Sequence, residues 1–275
     1  MGSGIAQVVA QAGFRVTVVE MDDGAVERGM RRIERGLERA VRAGALEGPE
    51  AASAALGRIA GATDLEGAAA EADHVIETVV EELEVKCDVL ARLDAACRDD
   101  VVLASNTSQF SISRLAAATG RPDRVIGSHW FNPPPVMGLI EVVRGVETSD
   151  ETLAVALGLA ARYGKETIVC KKDTQGFVTS RLIALFIVEA ARIVEEGIAD
   201  AEDVNKACVL AFNHALGPLD TADLSGLDIV ERVADGLVQH YGDRFLVPPG
   251  VRSLVNAGHL GRKTGRGFRD YGEAR

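Results

Sequence analysis

The sequence predicts an α/β domain with a mostly parallel sheet, followed by an all-helical domain. Three observations carry this. Short β-branched runs alternate with helical periodicities as far as Cys170. Beyond Gln175 the apolar residues recur almost entirely at helical spacing. Between the two, Lys171–Gly176 interrupts both periodicities with charged residues and glycine. Strands alternating with helices build a parallel sheet covered on both faces. The expected division is 1–172 for the α/β domain and 173–275 for the helical one.

The elements follow in chain order. In MGSGIAQVVAQAGFRVTVVE, Ile5, Val8, Val9 and Ala12 share one helix face, and Gly13 sits where a C-terminal cap belongs. RVTVVE (15–20) reads as a strand, and Asp22 or Asp23 caps the helix after it. Val26, Met30, Ile33, Leu37 and Val41 carry that helix to Gly44, and a shorter one follows near 49–57. Strands are expected around 58–62, 74–79, 101–106 and 124–131, then 139–145 and 166–170, with helices near 82–97 and 151–163. In the second part, 176–196 reads as one long apolar helix, and AEDVNKACVLAFNHALG and DIVERVADGLVQHYG as further helices.

Composition narrows the function classes. Lys+Arg is 30 and Asp+Glu is 41, a formal net charge of -11. An acidic surface argues against a nucleic-acid or membrane-surface binder, although one local basic patch remains compatible with it. Cys87, Cys97, Cys170 and Cys208 form no C-x-x-C pair and read as buried or idle thiols of a reducing compartment. The histidines show no zinc-ligand spacing, so no metal is expected. No signal-peptide pattern is read at the start, and the longest apolar run, Leu182–Val188, is too short to span a bilayer. A cytoplasmic protein is expected.

The opening stretch fits part of a dinucleotide site. Glycines let the backbone approach a pyrophosphate, a helix N-terminus faces its charge, and an acid ending the next strand accepts the ribose hydroxyls. Gly2, Gly4 and Glu20 occupy those places in a Rossmann-like unit. Simple close packing of a helix start is the alternative. The absence of an Arg beside Glu20 favours NAD over NADP.

A second constellation lies between residues 77 and 145. His129 falls at a strand end, where α/β sheets place ligands, and an imidazole suits proton transfer during oxidation of an alcohol. Glu141, beyond the N-P-P-P loop, can return beside it and fix its tautomer. Ser108, after VVLASN, offers a hydroxyl to polarise a substrate oxygen, with Asn106 and Ser105 near enough to touch cofactor or substrate. An ordinary Asn/Ser turn is the alternative for SNTS.

ASNTSQFSISRL, GSHWFNPPPVMGLIEVVRG, KDTQGFVTSRL and GHLGRKTGRGF together resemble the 3-hydroxyacyl-CoA dehydrogenases, and within them the bacterial 3-hydroxybutyryl-CoA type. The resemblance covers essentially the whole chain. It implies NAD-dependent interconversion of 3-hydroxyacyl-CoA and 3-oxoacyl-CoA in fatty-acid metabolism, with Ser108, His129 and Glu141 catalytic. It further implies Glu81 and Lys86 at the nicotinamide end of NAD, and Arg39 and Arg42 near the CoA phosphates. A homodimer through the C-terminal helices is expected.

Two departures from the family pattern stand out. Ser180, in Thr179–Ser180–Arg181, replaces an Asn that helps hold the His–substrate network. Ser retains a donor and an acceptor. At the opening, only the last glycine of G-x-G-x-x-G matches, as Gly2, and the strand before it is absent. About five apolar side chains at about 1.5–3 kcal/mol each would be missing, roughly 8–15 kcal/mol as an upper bound. The expectation is either upstream residues in the natural protein or a defective cofactor site. Alternative readings are a dehydrogenase of another 3-hydroxy acid and a weakly active, dimerising chain.

Overall fold

The computed structural model describes residues 1–272. Its first compact unit is Met1–Asp173, and the second begins at Thr174.

The first unit opens with α1 (Gly2–Gln11), β1 (Val16–Val19), α2 (Asp23–Arg42), α3 (Gly48–Leu56), β2 (Ile59–Ala62) and α4 (Leu65–Ala70). It continues through β3 (His74–Glu77), α5 (Leu83–Ala96), β4 (Val102–Ser105), α6 (Ile112–Ala116), β5 (Val125–Trp130), β6 (Leu139–Arg144), α7 (Asp150–Arg162) and β7 (Glu166–Cys170). Local chemistry sets the boundaries. The Asp22 side chain accepts the Ala25 N–H at 2.7 Å to start α2, and the Ser149 hydroxyl accepts the Thr152 N–H at 3.1 Å to start α7. Gly13, at φ 93°, turns the chain from α1 into β1, a conformation that favours glycine.

The strands form two separate sheets. β1 and β2 pair in parallel with each other; β3-β4-β5-β6-β7 form the second sheet. β3, β4 and β5 are parallel, β6 is antiparallel to β5, and β7 is parallel to β6. β4 and β5 are buried along their whole length, which is why they read as continuous apolar runs.

The first helix bridges the two sheets. Ile5, Val8 and Val9 pack with Val102, Ala104, Ile126, Trp130, Ile140 and Val142. On its other side Ala6 and Ala10 pack with Ile33, Leu37, Ala55 and Ile59. Each buried branched side chain contributes about 1.5–3 kcal/mol. Ala10 is 0% exposed, so Ala10→Leu would overpack this seam at about 1–3 kcal/mol.

The second unit contains α8 (Thr179–Glu195), α9 (Ala201–Phe212), α10 (Pro218–Ser225), α11 (Leu227–Tyr241) and α12 (Pro249–Asn256). Val188, Ala191, Val204, Leu219, Ala234, Val247 and Val251 form its main apolar cluster. The long helix starts at Thr179 rather than at residue 176. Gly176 and Phe177 both take positive φ, 72° and 48°, which no α-helix accommodates. The Lys/Gly-rich C-terminal segment folds over Asp223 of α10. That carboxylate accepts the Phe268 and Arg269 N–H groups at 2.9 and 3.0 Å and the Tyr271 hydroxyl at 3.0 Å. Gly261 and Gly267 permit this approach, since a Cβ would lie 2.2 Å from the Asp223 carbonyl oxygen and 2.0 Å from its carboxylate, respectively.

Candidate active site

The carboxyl ends of β3, β4 and β5 share one edge, because Glu77 is opposite Ser105 and Ser105 opposite Gly127 in the pairing register. His129 lies beyond Gly127 on β5, and the antiparallel register sets it directly across from Glu141 on β6. Cross-strand partners present side chains to the same face. The His129 Nδ1 meets Glu141 Oε2 at 2.8 Å, with Glu141 0% and His129 7% exposed. The thiol of Cys170, on β7, reaches Glu141 Oε1 at 3.6 Å. Sequence reasoning treats Cys170 as idle; the parallel β6–β7 pairing brings it beside the carboxylate. The Phe131 ring packs on the imidazole at 4.6 Å between centroids.

The turn after β4 carries the next groups. Asn106 Oδ1 accepts the Trp130 N–H at 2.9 Å and so ties this turn to the end of β5. Glu81 Oε1 accepts from the Thr107 hydroxyl at 2.6 Å and the Ser108 amide at 2.9 Å, and lies 3.4 Å from the Ser108 hydroxyl. Lys86 is fully buried, at 2.9 Å from Glu77 and 3.2 Å from Glu81. It therefore stands behind Glu81 rather than on the surface of the cleft. Glu77 escapes sequence reasoning, because a Glu that ends a strand looks the same whether buried or solvated.

The Pro-rich loop is fastened by Lys165, whose ammonium donates to the Pro134 and Met137 carbonyls at 2.7 and 2.6 Å. Burial holds its pKa below the usual lysine value.

The dinucleotide residues lie at the start of α1 and the end of β1. The first turn of α1 carries no acid and no side-chain cap, so the positive end of the helix dipole is left unscreened for an anion. A Cβ on Gly2 would lie 2.8 Å from Thr78 Oγ1, and one on Gly4 2.8 Å from Pro134 Cδ. Glycine is thus what lets α1 start against the end of β3 and the Pro-rich loop. Glu20 follows β1 with its side chain exposed. This donor set fits a dinucleotide.

The remaining candidates lie elsewhere. Arg39 and Arg42 are exposed in the last turn of α2, with Arg42 at 3.9 Å from Glu38. Ser180 is half-buried on α8, in the second unit.

A parallel-stranded nucleotide domain with a buried histidine–carboxylate pair at its strand ends defines the class of dinucleotide-linked dehydrogenases. The family comparisons agree. Residues 1–174 match the model for the 3-hydroxyacyl-CoA dehydrogenase NAD-binding domain, and residues 176–271 the model for its C-terminal domain. The chain belongs to the 3-hydroxyacyl-CoA dehydrogenase family and is an NAD-dependent dehydrogenase. A 3-hydroxybutyryl-CoA dehydrogenase of Mycobacterium tuberculosis is 43% identical over 98% of this chain and 95% of its own. The crystal structure of M. tuberculosis FadB2 superposes with a TM-score of 0.94 at 42% identity, covering 99% of this chain and 95% of that one. That of (S)-3-hydroxybutyryl-CoA dehydrogenase PaaH1 from Ralstonia eutropha gives 0.94 at 39%, covering 99% and 96%.

Proposed function

We propose that this chain interconverts 3-hydroxyacyl-CoA and 3-oxoacyl-CoA, with a short acyl chain as in the relatives named for 3-hydroxybutyryl-CoA. The observation that carries this is the buried His129–Glu141 pair at 2.8 Å. With Nδ1 engaged by Glu141, proton exchange falls to Nε2, which takes the 3-hydroxyl proton in oxidation and returns it in reduction. Glu141 fixes the tautomer and stabilises the imidazolium that forms. Ser108 donates to the 3-oxygen as its charge develops. NAD, when bound, would supply the hydride acceptor. The chain's own residues would hold it through the α1 N-terminus at Gly2 and Gly4, through Glu20, and through Glu81 and Asn106 at the strand ends. We assign the nucleotide domain to 1–172 and the helical substrate and dimerisation domain to 173–275.

The second unit supports a homodimer. Leu182 on α8 and Leu210 and Phe212 on α9 are 65%, 75% and 63% exposed. Apolar side chains at such exposure mark a surface that a second copy covers. Among the described residues no helix is long and apolar enough to cross a membrane. Cys87, Cys97 and Cys208 are free thiols, which supports a cytoplasmic location.

The test follows NADH absorbance after adding acetoacetyl-CoA to the purified 275-residue chain. Rapid NADH loss is expected, and His129→Gln should abolish most of it while circular dichroism stays unchanged. An unchanged kcat in that variant would remove His129 from the proposed role. Ser180→Ala is the separate check on the substituted position, with a rise in KM or a fall in kcat expected.

A further inference from the structure

A charged cluster lies behind the turn that carries Ser108, and the chemistry above does not use its innermost member. Glu77 ends β3 at 3% exposure, and its carboxylate joins three segments. Oε1 accepts the Val79 N–H at 2.7 Å and the Lys86 ammonium at 2.9 Å. Oε2 accepts the Ser105 hydroxyl at 2.6 Å. Lys86, Ser105 and Thr107 are each 0% exposed. The chain of contacts runs from Ser105 at the end of β4 through Glu77, Lys86 and Glu81 to Thr107 and Ser108.

We propose that Glu77 is a positioning residue for Ser108: it retains Lys86 so that Glu81 is shared with the 107–108 turn instead of being drawn wholly onto the ammonium. This rests on the reading of Ser108 as the group that meets the 3-oxygen. Two carboxylates flank one ammonium that is 0% exposed. Lys86 cannot be solvated there, so its charge must be met by carboxylate oxygens. With both carboxylates present, Lys86 takes one oxygen of each, at 2.9 and 3.2 Å. Glu81 then keeps Oε1 for the Thr107 hydroxyl and the Ser108 amide, which hold the backbone that carries the Ser108 side chain. Without the charge on Glu77, Glu81 becomes the only carboxylate the ammonium contacts, and its grip on the turn loosens. A buried ion pair is weak evidence for stability, because apolar residues of similar volume often replace it at no loss. Positioning accounts for the extra carboxylate where stability alone does not.

The test compares the full chain with Glu77→Gln and with the double variant Glu77→Leu/Lys86→Leu. Glu77→Gln keeps the shape and removes the charge. Its amides at Ser108–Phe110 should exchange with deuterium at least about tenfold faster, with those of β4 and β5 unchanged. kcat should fall about 10- to 100-fold with KM for acetoacetyl-CoA nearly constant, the cost of a displaced catalytic group. The double variant also removes the ammonium that would draw Glu81 away, so it should regain the parent turn exchange and kcat together with the parent Tm. Exchange and kcat both within twofold of the parent in Glu77→Gln would overturn the proposal. So would a double variant that regains Tm but keeps the fast turn exchange and low kcat, since no ammonium is then left to draw Glu81 from the turn. A parent chain without dehydrogenase turnover would fail the functional reading, while the exchange data would still decide whether Glu77 holds the turn.

Discussion

The two sheets of the first unit are built differently. β4 and β5 are buried at every position, and the ends of their sheet carry Glu77, Ser105, His129 and Glu141. The β1–β2 pair has only Ile59 fully buried, with Thr17, Ala60 and Gly61 exposed. Both sheets lean on α1, through different faces of the helix. The proposed acid–base groups therefore stand on the more deeply buried of the two sheets. The ribose candidate Glu20 stands on the less buried one. Local stability within one domain varies in this way, and ligand-binding segments come from its lower end.

Substitutions can break or sharpen this contrast. The largest effect should come from His129→Gln, a fall in kcat of about 100- to 10,000-fold with Tm nearly unchanged, read by NADH absorbance and calorimetry. Next is Ile126→Ala, at 0% exposure in β5, which should cost about 2–5 kcal/mol in urea unfolding. Val18→Ala in half-buried β1 should cost less than half as much; equal costs would dissolve the distinction between the sheets.

A pH effect of intermediate size belongs to His74, at the start of β3. The residue is half-buried as a whole, but its ring Nδ1 is buried and meets no hydrogen-bond partner among the described residues. Burial pushes its pKa down from 6.5 to about 4. The folded state keeps the ring neutral while the unfolded chain binds the proton. Its stabilising contribution is thus complete above pH 6.5 and is lost as pH falls toward 4. At about 1.4 kcal/mol per unit the full loss is up to about 3 kcal/mol. His74→Leu should flatten the fall in Tm between pH 7 and pH 4.5; an identical slope would acquit His74.

The smallest effect should come from Arg42→Ala. Its pair with Glu38 is exposed, so Tm should move by less than about 0.5 kcal/mol equivalent. A severalfold rise in KM for acetoacetyl-CoA, absent with a substrate lacking the CoA nucleotide, would place Arg42 at the CoA phosphates. No rise would return α2 to an ordinary solvated helix.

How much of this was legible follows from what each residue needs. The strands around Val102, Val125 and Leu139 are short β-branched runs bounded by turn residues, and those periodicities survive folding intact. The His129–Glu141 pair was readable because its partners lie twelve residues apart around a proline-rich loop, a separation that a hairpin closes. Lys86 was placed near the cofactor, yet nothing in VVEELEVK tells a sealed ammonium from a solvated one. That distinction arises only when β3, α5 and β4 come together. The contact of Cys170 with Glu141 and the tie of Asn106 to Trp130 were obscure for the same reason, since each pair is distant in sequence. The late start of α8 was missed because a side-chain pattern does not report a left-handed Phe177.

The pairing of β5 with β6 has a consequence for how this protein could be altered. His129 and Glu141 are aligned by main-chain register, while residues 131–138 join the two strands and carry Phe131 on the imidazole and the carbonyls that Lys165 fastens. Lengthening or exchanging that connection leaves the alignment standing, provided the strands stay in step. A slip of one residue would instead turn the imidazole to the opposite face of the sheet. The segment between the strands therefore tolerates changes of length better than either strand, where a point insertion would part the imidazole from Glu141.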